Sequence, residues 1–295
     1  MDSSSAENYR DKPGLFSVPT PIKKIFDKVP IVIYHPNQLP QRSSGCDKSP
    51  SLYVFSKEQD AIAGKPSFNP NCLKWQTFLK IAGIEHNLIA SNNHASPTGS
   101  LPFLLPAFHG ANRFSEKVNP IVADKLIKYS IENGANIQDT SSIRYSAYQS
   151  LLDYRIRNAW LYFLYLESRN FNEVAYPLYV SSVSSNFLVR ASISHQLRAA
   201  AESELLKQSS VIDIDDIYSE ADKAFEALSI LLGENNWFFG NEKPALFDAS
   251  VFAYSHLLLD EDMGWQETKL CRALRTRKNL VQHRERILKQ FYNHS

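Results

Sequence analysis

From Ser51 to Leu105 the chain alternates short strand-like runs with one helix, and beyond Gly110 it offers only helical periodicity. That division restricts the fold more than any other feature. Ser51–Phe55 (SLYVF) is β-branched and aromatic, as buried strands are. Asn69-Pro70 then opens a helix, with proline suited to the first turn. Leu73, Trp75, Phe78, Leu79 and Ala82 supply its apolar face, and Gly83 is a stop signal. His86–Ala90 and Leu101–Leu105 read as two further strands. Strand, helix, strand, loop, strand is the start of an α/β layer.

After Gly110 the spacing predicts helices over 120–129, 141–168, 184–207, 216–232, 247–259 and, as one piece, about 268–292. Asp213, Asp215 and Asp216 sit where a helix N-terminus favours acids. Helix after helix without strands is an all-α second half. The expected organisation is a polar tail and docking arm over 1–50, an α/β domain over 51–130 and a helical domain over 131–295. The loop from Ser56 to Asn71 reads as long and loosely organised.

The 295 residues are 43% hydrophobic and 21% charged, enough for one large core or two modest ones. A formal charge of +1 provides no global field toward nucleic acid. Zinc spacing, helix-turn-helix pattern and aromatic–basic alternation are also lacking, so no nucleic-acid partner is expected. Three cysteines, Cys46, Cys72 and Cys271, lie far apart without CxxC, which argues for a reducing compartment and against a disulfide framework or metal site. No run approaches the roughly 18 apolar residues of a spanning helix. Met1–Arg10 lacks the apolar run of a secretory signal, and Asp2, Glu7 and Asp11 interrupt any matrix-targeting presequence.

Two segments look adhesive. The proline-stiffened arm carries Phe16, Ile22, Ile25, Phe26, Ile31 and Tyr34, apolar groups that need a surface, either their own domain or a neighbouring subunit. The stretch 264–295 holds eight Lys/Arg against two acids, Arg272 and Arg275 among them. It reads either as a solvated helix face or as a contact for anionic headgroups or an acidic partner. The run Trp160–Tyr165 is apolar nearly all round and belongs to a core.

Cys72–Ile84 (CLKWQTFLKIAGI), Ser91–Leu104 (SNNHASPTGSLPFL), Pro30–Arg42 (PIVIYHPNQLPQR) and Phe239-Gly240 with Pro244–Ala249 (PALFDA) together resemble the metaxin family. Within it they look most like the smaller, metaxin-2-type subunit of the fungal mitochondrial sorting and assembly machinery. The resemblance spans about residues 20–260. It implies a glutathione-transferase-like fold, with a thioredoxin-like domain and then a helical one, peripheral on the cytosolic face of the mitochondrial outer membrane. The implied partners are a β-barrel insertase subunit, a second metaxin-like subunit and the sorting signal of β-barrel precursors.

The same resemblance points to Pro102 as the cis-proline that turns an edge amide and carbonyl toward a ligand; the plainer reading is a trans proline opening a strand. A working transferase needs an activated Tyr, Ser or Cys after the first strand. Ser56, Ser67 and Cys72 are the candidates here, Cys72 near a helix N-terminus that would lower its pKa. An acid–Ser pair is also needed; Phe114-Ser115-Glu116-Lys117 has it reversed. Asp248 stands where a capping box would place its acid, with Ala245 at the cap, and reads as structural. No catalytic residue, cofactor or metal is assigned. The expectation is a non-catalytic subunit that helps recognise and insert β-barrel precursors. The rivals are a glutathione-dependent transferase and a transferase-like interaction module of another complex.

Overall fold

The computed structural model describes residues 49–107, 119–135 and 142–292. The arm positions Phe16, Ile22, Ile25, Phe26, Ile31 and Tyr34, together with Cys46 and Ser115-Glu116, lie outside those residues.

Among the described residues four strands form one sheet in the order β2-β1-β3-β4. β1 (Ser51–Val54) pairs parallel with β2 (Asn87–Ala90) and antiparallel with β3 (Phe103–Leu105). A parallel pair needs a crossover element. α2 (Pro70–Ile81) supplies it, with Asn69 as its cap. β4 (Ile121–Val122) pairs antiparallel with β3. It corrects the expectation of a helix from residue 120, because α3 begins only at Ala123 (Ala123–Glu132). Two residues are too few to show a period, so the fourth strand carries no signal of its own. The loop after β1 is likewise more ordered than expected. It holds a short helix, α1 (Glu58–Ile62), and Gln76 from α2 pins it, accepting from the Ser67 amide and donating to the Lys65 carbonyl.

Register explains the sheet's core. Leu52 lies opposite Leu104, both fully buried, and the rings of Tyr53 and Phe103 stack at 4.4 Å. Trp75, Phe78 and Leu79 of α2 fill the space above them, and Leu246 and Ala249 join from the helical half. α2 is therefore enclosed on both sides.

The helical half opens with α4 (143–166), which includes π-type turns at Leu151–Ile156 and Tyr162–Leu166. The Glu167 amide reaches back five residues to the Tyr162 carbonyl. α5 (168–181) had not been expected; Pro177 within it masks the helical pattern, and the π-type winding of Phe171–Ser181 accommodates it. α6 (Phe187–Leu205) and α7 (Ile214–Leu232) follow. α8 (Leu246–Leu259) lies at the centre, with every residue but Tyr254 buried. The expected single C-terminal helix is two, α9 (Lys269–Arg275) and α10 (Lys278–Phe291). At the break, the Thr276 hydroxyl and the Arg277 guanidinium both donate to the Ala273 carbonyl. Such local bonds compete with helix continuation.

α10 returns to the sheet half. Its neighbour Tyr292 makes a buried hydroxyl–hydroxyl bond of 2.8 Å with Thr77 of α2, and Lys80 Nζ donates to the Phe291 carbonyl.

Candidate functional site

β1, the N-terminus of α2 and the start of β3 converge at one place in the sheet half. The Leu101–Pro102 peptide is cis. The resemblance implies that the Leu101 amide and carbonyl would face a ligand. Here both are occupied by the chain itself. The Leu101 N–H donates to Asn93 Oδ1 at 3.1 Å, and the Leu101 carbonyl accepts from Asn71 Nδ2 at 3.2 Å.

The helix N-terminus is occupied too. Asn69 Oδ1 accepts from the amides of Asn71 and Cys72, at 3.1 and 3.2 Å. Those are the orphan donors that an anion or thiolate would otherwise use. Asn69 Nδ2 contacts the Tyr179 hydroxyl at 3.4 Å, and that hydroxyl donates to the Phe68 carbonyl. Tyr179 of α5 thus closes over the helix start, edge-on to Phe55 and Phe68. Burial pushes its phenol well above the usual range.

Each candidate nucleophile is compromised. Cys72 is fully buried, and burial pushes its thiol up to about 12, overriding the helix N-terminus that was expected to lower it. Hydrogen bonds from the Phe55 backbone and the Ser67 side chain only partly offset that rise. Ser67 is buried and donates to the Phe55 carbonyl at 2.6 Å. Ser56 donates to its neighbour, the Lys57 carbonyl. Where β4 runs into α3, Asp124 is followed by Lys125, not by serine. A cleft of about 390 Å³ remains beside this region, lined by Phe55, Phe68, Asn92, Pro177 and Val183 among others. Its lining mixes these apolar groups with Lys57, Glu58 and Ser91; of the three candidates only Ser56 lines it, and Cys72 and Ser67 do not.

Asp248 is a buried group of α8. It is fully buried, and its carboxylate accepts three hydrogen bonds: from the Ala245 amide at 2.9 Å, the Phe238 amide at 3.0 Å and His283 Nε2 at 2.9 Å. Ala245 has no acceptor, so only the acid's half of a capping box is made. The extra partners join α8 to α10 and to the turn at Phe238–Gly240. The turn geometry had no sequence signal beyond Phe239-Gly240, and His283 had none.

The basic stretch is divided. Lys269 pairs with Asp215, Arg277 with Asp222, and Arg286 lies over the Trp237 ring. Arg272 and Arg275 are exposed on α9, and neither forms an ion pair among the described residues. Among those residues no cluster of three or more His, Cys, Asp or Glu could hold a metal ion.

Family models match three stretches: "SAM35, subunit of SAM complex" over 16–70, "Glutathione S-transferase N-terminal domain" over 70–170 and "Glutathione S-transferase, C-terminal domain" over 221–287. Human Metaxin-2 is 24% identical over 234 residues, covering 77% of this chain and 83% of its own length. Mouse Metaxin-1 is 26% identical over 247 residues, covering 78% and 72%. The chain belongs to the metaxin family. Zebrafish (Danio rerio) Metaxin-3 is 31% identical over a shorter span, 50% of this chain and 47% of the relative. A glutathione transferase of Ceriporiopsis subvermispora, solved with glutathione, aligns over 79% of this chain and 99% of its own at 14% identity and a TM-score of 0.48. In the metaxin-family chain the mixed four-stranded sheet followed by packed helices is a glutathione-transferase-like fold.

Proposed function

We infer that this metaxin-family chain is a non-catalytic subunit of the mitochondrial sorting and assembly complex. It would correspond to the smaller, metaxin-2-type subunit, peripheral on the cytosolic face of the outer membrane. The observation that carries the non-catalytic reading is the double engagement of Leu101. Its amide and carbonyl are both held by asparagines of the same chain, so a tripeptide could take the amide only by displacing Asn93 and would have to share or displace Asn71 at the carbonyl. Unmaking these part-buried hydrogen bonds opposes such binding, and the neighbouring thiol, pushed up to about 12, offers no thiolate at neutral pH to offset it.

Membership in the complex rests on the family matches over both halves and on the SAM35 match at 16–70. The partners are then the β-barrel insertase and a second metaxin-like subunit, contacted through the 1–50 arm and the exposed Arg272 and Arg275. No helix among the described residues is long and apolar enough to cross a membrane, which suits attachment by contacts. For handling precursors, an extended signal would add to a sheet edge. β2, with four residues, is the longer of the two edges, since β4 has two.

Affinity purification in mild detergent, with partners identified by mass spectrometry, tests the assembly; recovery without a β-barrel subunit refutes it. Capture of the chain on an immobilised β-signal peptide, against a scrambled one, tests precursor recognition. Retention on glutathione resin, with conjugating activity, would refute the non-catalytic reading.

A further inference from the structure

Several large apolar side chains that remain exposed are scattered singly, such as Ile62, Ile131, Ile143 and Ile230. Single exposed residues need no explanation. One group differs. Val183, Phe187, Leu188 and Val189 fall within seven residues, with exposures of 39, 71, 73 and 42%. Phe187, Leu188 and Val189 are successive helical residues, pointing about 100° apart. All three can be exposed only if the first turn of α6 projects beyond the body. The packing agrees: of 19 residues in α6, only Ala201 and Leu205, near its far end, are buried.

Charge follows the same axis. From Val174 to Ala201 there is no Asp or Glu. The projecting half of α6 carries Arg190 and His195, and Arg190 is half-buried with its Nε lacking any hydrogen-bond partner. Arg198 is turned inward, over the Phe171 ring. The opposite end of α6 has Glu202 and Glu204, and the exposed Leu206, Val211 and Ile214 there are followed by Asp215 and Asp216. Anionic lipid would repel that end and attract the other.

We propose that the Val183–Val189 tip of α6 inserts into the surface of an anionic lipid bilayer, with Arg190 and His195 at headgroup level. An apolar wedge backed by basic residues without acids is the pattern of interfacial anchors. The loop before it, Ser181 to Asn186, holds no charge that would have to leave water. The inference rests on the proposed outer-membrane location only for which membrane is met.

Vesicle sedimentation of the full chain tests it without the complex. Vesicles of phosphatidylcholine with a minority of phosphatidylinositol should pellet the chain more than phosphatidylcholine alone. Phe187→Ser with Leu188→Ser should lower partitioning at least about tenfold, as the loss of two apolar side chains from the bilayer requires. Arg272→Glu with Arg275→Glu should leave most of the binding in place. In Leu188→Trp, brominated acyl chains should quench the new indole beyond the wild-type background, in which Trp75, Trp160 and Trp237 are buried and Trp265 is half-buried. The proposal is overturned if the wild type does not pellet, or if the serine pair pellets as the wild type does. It is equally overturned if the serine pair keeps vesicle binding yet loses a protein subunit in detergent, which would make the tip a protein contact. Complex membership is read separately by affinity purification and survives any of these failures.

Discussion

α8 and α6 are both rich in apolar residues, yet the fold uses them in opposite ways. In α8 thirteen of fourteen residues are buried; in α6 two of nineteen are. α8 touches α2 on one side and α9 and α10 on the other, so both halves of the molecule are built around it. Among the described residues α6 meets chiefly α4 and α5, and its two buried residues, Ala201 and Leu205, lie near its C-terminus. Apolar character therefore serves cohesion at the centre and is left available at the rim, and what separates the two is the surrounding chemistry. α8 contains a carboxylate with three donors, whereas the projecting half of α6 has no carboxylate at all.

The contrast predicts a gradient of mutational cost. Asp248→Ala should lose the most, about 3–5 kcal/mol, because it strands buried partners on α10 and on the turn before α8. Chemical denaturation measures this; a loss under 1 kcal/mol would deny α8 its organising role. His256 comes next. It is 6% exposed, and burial, then the Arg284 charge, lower its pKa to about 3. The unfolded chain protonates it near 6.5. As pH falls below that value the unfolded state gains the proton first, so stability is fully present above pH 6.5 and is lost progressively toward pH 3. The loss should reach about 3 kcal/mol by pH 4. His256→Gln should flatten the stability–pH slope in this window by about one proton, and an unchanged slope would refute the assignment. Asn69→Ala, on the helix that α8 covers, should cost about 1–2 kcal/mol as a lost cap. Leu188→Ser, at the rim, should shift unfolding by no more than about 0.5 kcal/mol. Equal costs at residues 248 and 188 would erase the distinction between the two helices.

The fold was largely legible because its signals are local. Pro70 at a first helical turn, Gly83 past a last one and short apolar runs at 51–55 and 86–90 act over a few residues. What escaped was either short or set by distant partners. β4 has two residues, and Pro177 hides α5. Thr276 and Arg277 break the last helix by bonding to a single carbonyl. At the candidate site, cysteine chemistry was read from its place at the helix start, but burial by the packed sheet decided the thiol's state. Asn71 and Asn93 gave no warning, since an asparagine in a loop is ordinary until the geometry brings it to Leu101. His283 meets Asp248 across 35 positions, beyond the reach of any spacing rule.

The Thr77–Tyr292 bond has a consequence for how the molecule is made. Its ends are 215 residues apart, and α2 needs α8 and α10 to cover the face turned from the sheet. During synthesis the early strands and α2 emerge long before those helices exist. The nascent chain must carry an uncovered apolar flank until translation is nearly finished, and such late closure favours aggregation. Ribosome-stalled chains ending near residue 240 should therefore be bound by chaperones that release the finished protein.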